Sequence, residues 1–228
     1  MISRVPGDIA AELGNVSRET LDRLEAFIDV LLTWQTRINL IGCGTIPDVW
    51  RRHVLDSAQL MPLIAPTSRR LVDVGSGAGF PGLVLAILGA QGVELVEASQ
   101  KTCAFLAEAV RVTGAEATIV CARSEALPRA PADTVTARAV APLPRLIELV
   151  RPLIGPGTRC LFLKGASVET ELTKTHKMWK MAATTVPSRT DPGGRIVVIE
   201  DLKHGTRDHR PQPVAARSRH RQPEGRRR

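Results

Sequence analysis

The chain has 228 residues, of which 43% are hydrophobic and 24% charged, with a formal net charge of +8. This is an ordinary globular composition, long enough for one sizeable core. No apolar run approaches the roughly 20 residues of a membrane span, and the opening MISRVPGDIAAELG does not read as a signal peptide. The charge is unevenly placed: from Lys203 to Arg228 nine Lys/Arg face two acids, a net +7, so the preceding 202 residues carry only +1. Cys43, Cys103, Cys121 and Cys160 lie far apart with no CxxC spacing. That pattern indicates neither a zinc site nor a disulfide framework, and it fits reduced thiols in the cytoplasm. With no tyrosine and seven Phe and Trp residues, base stacking on an aromatic platform is disfavoured.

The first ~65 residues read as helical. Ser17 can cap a helix in which Leu21, Leu24, Ile28, Leu31, Leu32, Gln35 and Ile38 follow three- and four-residue steps, and Gly42 and Gly44 are expected to stop it. Thr45-Ile46-Pro47 suggests a second start, with Val49, Val54, Leu55 and Ala58 as its apolar stripe up to Pro62. From Leu71 short apolar runs alternate with helical stretches. Strands are expected at 71–74, 93–97, 118–121, 134–137, 160–164 and 195–200, with helices near 81–88, 99–113, 143–154 and 168–178. Gly114 and Gly155 are read as the residues just past two helix ends. The turn chemistry of Pro187 to Gly194 predicts an antiparallel hairpin between 182–186 and 195–200 at the sheet edge. The fold class is therefore α/β, a mostly parallel sheet covered by helices. Residues 1–65 are expected to form a helical extension on the core, 66–202 the core itself, and 203–228 a basic tail. The tail has too few apolar residues to order itself.

The strongest local signal is Leu71-Val72-Asp73-Val74-Gly75-Ser76-Gly77-Ala78-Gly79-Phe80-Pro81-Gly82, an apolar strand entering a glycine turn. Glycines let the chain turn sharply and let a ligand approach the main chain. The next strand ends in Glu97, where a carboxylate can accept hydrogen bonds from both hydroxyls of an adenosine ribose. Dinucleotides and S-adenosylmethionine share this geometry, so the glycines alone do not choose between them. Asp73 favours S-adenosylmethionine, because a carboxylate entering the turn suits the cationic methionyl portion and suits a pyrophosphate poorly. An NAD(P)-dependent oxidoreductase remains the alternative enzyme, and a purely structural turn the bland one. Further candidates follow the later strands: Arg123-Ser124-Glu125 toward an adenine edge, Arg138 and Lys164 as cations closing buried strands. Either cation can instead pair with an acid. Residues 138–141 read Arg-Ala-Val-Ala, without the Asn/Asp-Pro-Pro-aromatic run used for exocyclic amines, and no cysteine has the context of a pyrimidine C5 nucleophile. A guanine N7 needs neither device.

Asn39-Leu40-Ile41, Arg52-His53-Val54-Leu55-Asp56-Ser57, the Asp73 to Gly82 turn, Arg138-Ala-Val-Ala-Pro-Leu, Leu163-Lys164-Gly165 and Arg195-Ile-Val-Val-Ile199 occur in this order. Together they resemble the bacterial 16S ribosomal RNA guanine-N7 methyltransferase family, over about residues 15–200. The resemblance implies the class I S-adenosylmethionine-dependent methyltransferase (Rossmann-like) fold and methyl transfer to N7 of a guanine in the 530 loop of 16S rRNA. It implies a cytoplasmic enzyme acting on the 30S subunit or its precursor, without a membrane. A monomer is the default. Gly75, Phe80, Ser124, Glu125 and Arg138 fall on the family's cofactor positions, with Asp73, Gly77 and Glu97 beside them. Arg52, His53, Asp56 and Ser57 match its helical signature, and Arg123 and Lys164 are candidate contacts to RNA or cofactor. A positioning or packing role is favoured for His53 over a general base, since N7 attack requires none. Phe80 stands where leucine is usual, and Gly42-Cys43-Gly44 replaces a commoner Thr-Ala stretch. A non-catalytic rRNA-binding assembly factor with a vestigial cofactor site is the third reading.

Overall fold

The computed structural model describes residues 2–204. Helices α1 (Gly7–Leu13), α2 (Arg18–Gln35) and the short α3 (Asp56–Ala58) precede strand β1 (Leu71–Val74). Then α4 (Gly82–Ile87), β2 (Val93–Glu97), α5 (Gln100–Thr113), β3 (Ala117–Cys121) and β4 (Thr134–Arg138) alternate. The chain closes with α6 (Leu143–Val150), β5 (Arg159–Lys164), α7 (Val168–His176), β6 (Trp179–Pro187) and β7 (Arg195–His204). The strands form one sheet in the order β3-β2-β1-β4-β5-β7-β6. The first five are mutually parallel, and β7 runs antiparallel to both β5 and β6. The hairpin expected at one edge is therefore present.

Period-two alternation explains why two cores lie on opposite sheet faces. Leu71, Leu95, Leu161, Leu163 and Ile196 point to the face covered by α2, α4 and α5, where Leu24, Phe27, Ile28, Leu83 and Phe105 join them. Val72, Val74, Val96, Phe162 and Val197 point to the other face, packed by Leu146, Ile147 and Val150 of α6 and Val168 of α7. The N-terminal helices thus share a core with α4 and α5.

The caps follow sequence chemistry. Ser17 Oγ accepts the Thr20 amide (3.1 Å), and Gly114 ends α5 at φ +60°. Three expectations need correction. First, α2 stops at Gln35, well before Gly42. Gln35 Oε1 accepts the amides of Leu40 (2.9 Å) and Ile41 (3.0 Å), and its Nε2 donates to the Ile41 carbonyl (2.8 Å). A side chain that satisfies three backbone groups beyond the helix offers the chain an alternative to another turn. Second, α6 ends at Val150, short of the 154 expected, and Gly155, just past the short helical turn that follows it, lacks the left-handed backbone of Gly114. Gly155 is small because a Cβ there would lie 2.6 Å from Pro131 Cβ. Third, β7 continues past Leu202, with Lys180 paired to Lys203 and Trp179 to His204. The rest of the expected tail lies outside the described residues.

Candidate active site

The C-terminal ends of β1, β4 and β5 and the start of β7 open onto a cleft of about 950 Å³. Beside it lies a smaller chamber of about 180 Å³ between the ends of β2 and β3. Gly75 and Val140 line both, so they stand between the two. Gly75 sits at φ +68°, and a Cβ there would come within 2.7 Å of Val140 Cγ2. Both the left-handed conformation and the close approach require glycine.

The turn is held by backbone and acid together. The Gly75 and Ser76 amides donate to the Val96 carbonyl (2.9 and 3.0 Å). Glu97 Oε2 accepts the Gly77 amide (3.0 Å) and Oε1 the Ser99 amide (2.8 Å). Each oxygen keeps a second lone pair, and Glu97 lines the small chamber. Arg123, Ser124 and Glu125 line the same chamber, with Val74, Val96, Ala98, Ala122 and Leu149 as apolar wall. The chamber therefore combines a flat apolar enclosure with an acid at its rim. That donor set fits the adenosine of S-adenosylmethionine.

Asp73 has a different place from the one expected of it. It is fully buried and lines neither cavity. Its Oδ1 accepts Thr136 Oγ1 (2.7 Å) and its Oδ2 the Gly82 amide (3.1 Å), tying β1 to β4 and to the start of α4. Burial pushes this carboxyl up to about 6, against the pull of those hydrogen bonds and of Arg138. Asp73 builds the turn from behind.

Arg138 is the hub of the larger cleft. It donates to the Arg52 carbonyl (3.0 Å), to Asp56 Oδ2 (3.3 Å) and to His53 Nδ1 (2.8 Å), and its guanidinium lies 5.0 Å from the Phe80 ring centre. Burial lowers its pKa from the usual arginine value, while Asp56 opposes the shift. A guanidinium only donates, so His53 Nδ1 is the acceptor and Nε2 carries the proton. That proton points at Thr45 Oγ1 (2.8 Å), which in turn donates to the Gly42 carbonyl (2.7 Å). Burial, then the charges of Arg138 and Arg52, push the imidazole down to about 3, so it is neutral near pH 7. His53 stacks on Phe80 (ring centres 5.0 Å apart), and Phe80 rests on Phe27 (5.2 Å). With both nitrogens engaged, His53 positions its neighbours and offers no free base.

The other cations differ from one another. Lys164 Nζ contacts the Ala141 carbonyl (2.9 Å) and Glu171 Oε2 (2.7 Å), with little of either side chain exposed. It is the paired cation of the bland reading, although it lines the cleft. Arg52 lines the cleft and Arg123 the chamber; both are exposed, and neither guanidinium has a partner among the described residues. Ser57 is buried, its Oγ bonded to the His53 carbonyl (2.6 Å), so it serves the helix and not the cleft. Residues without a motif complete the site. Asp56 Oδ1 accepts Thr190 Oγ1 (2.7 Å), and Gln59 Oε1 accepts the Arg189 amide (2.8 Å), so the turn between β6 and β7 closes one wall. Thr45, Glu171 and Arg195 also line the cleft. Of these, Arg195 alone carried a sequence signal, as the start of a shared strand.

A seven-stranded sheet in this order, with a glycine turn after β1 and an acid ending β2, defines a class I S-adenosylmethionine-dependent methyltransferase fold. Solved structures agree on the fold. The Bacillus cereus O-methyltransferase in complex with SAH superposes with a TM-score of 0.56 at 12% identity, over 88% of this chain and 100% of that one. A mutant of MtNAS in complex with S-adenosylmethionine gives 0.55 at 14% identity, over 86% and 80%. At the sequence level, the family described as rRNA small subunit methyltransferase G matches residues 20–192. Proteins named ribosomal RNA small subunit methyltransferase G from Paramagnetospirillum magneticum and Rhodospirillum rubrum are each 52% identical. They cover 88% and 82% of this chain, and 97% and 93% of their own length. The chain belongs to the rRNA small subunit methyltransferase G family.

Proposed function

We propose that this S-adenosylmethionine-dependent rRNA methyltransferase modifies N7 of a guanine in the 530 loop of 16S rRNA. Its substrate is the small subunit or a precursor of it, in the cytoplasm, and the chain acts as a monomer. Bound S-adenosylmethionine supplies a methyl group activated by the sulfonium. Glu97 receives the ribose hydroxyls, Ser124 and Glu125 face the adenine edge, and the Gly75–Phe80 turn carries the methionyl portion past Val140 into the larger cleft. Phe80 and Arg138 form the wall against which the acceptor is placed, with Arg52 and Arg123 as exposed cations for RNA phosphate.

The observation that supports N7 is that the cleft's imidazole and its two half-buried carboxylates are all engaged, which leaves the exposed Asp191 on the β6–β7 turn as the cleft carboxylate without a cation among the described residues. His53 is neutral with both nitrogens engaged, Asp56 is bound to Arg138, and Glu171 to Lys164. A ring nitrogen with its own lone pair needs no proton removed. S-adenosylmethionine held by the Gly75–Phe80 turn and Glu97 would supply an activated methyl to that lone pair, with the thioether as leaving group and the ring taking up the positive charge, so that no proton need leave. Catalysis is then in-line placement and electrostatics, which suits a site built from positioned rather than titrating groups.

The pH dependence tests this. His53 titrates at about 3 and Asp73 at about 6, so both have completed their titration by neutral pH. Single-turnover methyl transfer is expected to be level from about pH 7 to about 8.5. An inflection within that range that disappears in His53→Gln would show the imidazole acting as a base.

A further inference from the structure

Beside the small chamber lies a pair of thiols that methyl transfer does not use. Cys103 is buried in the first turns of α5, and Cys121 is the exposed last residue of β3. In the parallel ladder Cys121 stands opposite Glu97, the residue that ends β2. One acceptor draws the two cysteines together. The Glu97 carbonyl accepts both the Ala122 amide (3.0 Å) and the Cys103 thiol (3.4 Å), so the Cys103 sulfur sits beside the peptide that follows Cys121. The faces agree as well. Ile119, two residues before Cys121, packs into the core that α5 fills with Phe105 and Leu106, and period-two alternation gives Cys121 that same face. Burial, then the hydrogen bond and charge of the facing Cys121 sulfur, push the Cys103 thiol up. The other two cysteines lie elsewhere: Cys160 in the core on the opposite sheet face, Cys43 in the turn after α2. No third His, Cys, Asp or Glu joins the pair to make a metal site among the described residues. An exposed thiol with a second thiol directly behind it is instead the arrangement of stepwise oxidation.

We propose that Cys103 and Cys121 are a peroxide-sensitive pair whose disulfide weakens the binding of S-adenosylmethionine. The proposal rests on the reading of the small chamber as the adenosine site. Cys121, the exposed thiol, meets hydrogen peroxide first. Its sulfur takes one oxygen as the O–O bond breaks, giving a sulfenic acid and water. The Cys103 sulfur then displaces that hydroxyl: an S–S bond forms, the S–O bond breaks, and hydroxide leaves with the Cys103 proton as a second water. The peroxide gains the two electrons that the two thiols lose. A disulfide sets its two Cα atoms about 4.4–6.8 Å apart, and it leaves no thiol hydrogen for the Glu97 carbonyl. Both changes act on the chamber wall, which Glu97 lines together with Ala122, Arg123, Ser124 and Glu125, the residues that follow Cys121. A reversible pair of this kind is the form disulfides take in a reducing compartment.

The test treats the full chain, C103S and C121S with dilute hydrogen peroxide. Affinity for S-adenosylmethionine is measured by calorimetry before treatment, after it, and after dithiothreitol. Tryptic peptide mapping locates the link, which should join residues 102–111 to 112–123. The wild-type chain is expected to lose two hydrogens, to show that linked pair, and to bind the cofactor about tenfold or more weakly. Dithiothreitol should reverse all three, and both serine variants should keep their affinity throughout. An absent link, or a link with affinity unchanged, would overturn the proposal. So would an equal loss of affinity in C121S, which would place the damage at another residue. Should the reduced wild-type chain bind no S-adenosylmethionine, the cofactor reading of the chamber fails on its own. The linked peptides, present or absent, then uphold or overturn the thiol pair.

Discussion

Gly75→Asp is expected to lower affinity for S-adenosylmethionine by at least about 100-fold, the scale on which misplacement by an ångström acts. Methyl transfer should fall with it. The reason lies at the contact of Gly75 with Val140, which both cavities share. A side chain at φ +68° is strained, by about 1–2 kcal/mol for a left-handed residue, and its Cβ would meet Val140 Cγ2 at 2.7 Å. The turn must then shift, and a negative charge is added beside both cavities. Calorimetric titration of the variant checks the affinity, and thermal unfolding checks that the fold survives. Gly75→Ala combined with Val140→Ala removes the collision and the carboxylate, and should recover part of the affinity. Cofactor binding by Gly75→Asp at wild-type strength would mean that the cofactor does not lie against this turn.

Arg138→Leu should be the most damaging change in the larger cleft. It removes three hydrogen bonds at once and leaves Asp56 without its cation. Breaking a buried pair costs about 3–5 kcal/mol; here the side chains keep 17% and 15% exposure, so about 2–4 kcal/mol is expected by urea unfolding. The turnover number should fall about 100-fold or more, because His53, Thr45 and the Phe80 wall lose their common anchor. Arg138→Lys should not rescue it, since one ammonium cannot replace a planar fork reaching three acceptors. Adding Asp56→Leu to Arg138→Leu should return part of the stability and none of the activity. Wild-type turnover in Arg138→Lys would reduce the guanidinium to a mere charge.

These two residues show what kind of information the sequence carries. Gly75 was legible because a glycine between an apolar strand and a helix is a local signal, and so was Glu97 at the end of the next strand. The seven strands were legible for the same reason: short apolar runs bounded by turn residues mark strands of a covered sheet. The partners of Arg138 and Lys164 were not, because Asp56 and Glu171 come from other elements and nothing local marks a buried ion pair. The contact of Asp56 with Thr190 spans 134 positions. The burial of Asp73 was hidden for a related reason. Its spacing from Gly75 places it at the turn, but only the sheet register with Thr136 and the amide of Gly82 shows that it faces inward. The early end of α2 belongs here as well, since Gln35 reads as one more helical residue until its side chain is seen folded back on Leu40 and Ile41.

The overall +8 also changes meaning. The pairs Arg138–Asp56 and Lys164–Glu171 leave Arg52 and Arg195 at the cleft and Arg123 at the chamber without an acid partner among the described residues.

The central claim is that the cleft moves a methyl group from S-adenosylmethionine to a guanine N7 without a base. The most direct measurement incubates the purified chain with labelled S-adenosylmethionine and small subunits from cells lacking it, then maps the modified nucleotide by nuclease digestion and mass spectrometry. One 7-methylguanosine in the 530 loop is the predicted result. Label on an exocyclic amine, a pyrimidine carbon or a ribose hydroxyl, or no transfer to subunits or naked 16S rRNA, would contradict it.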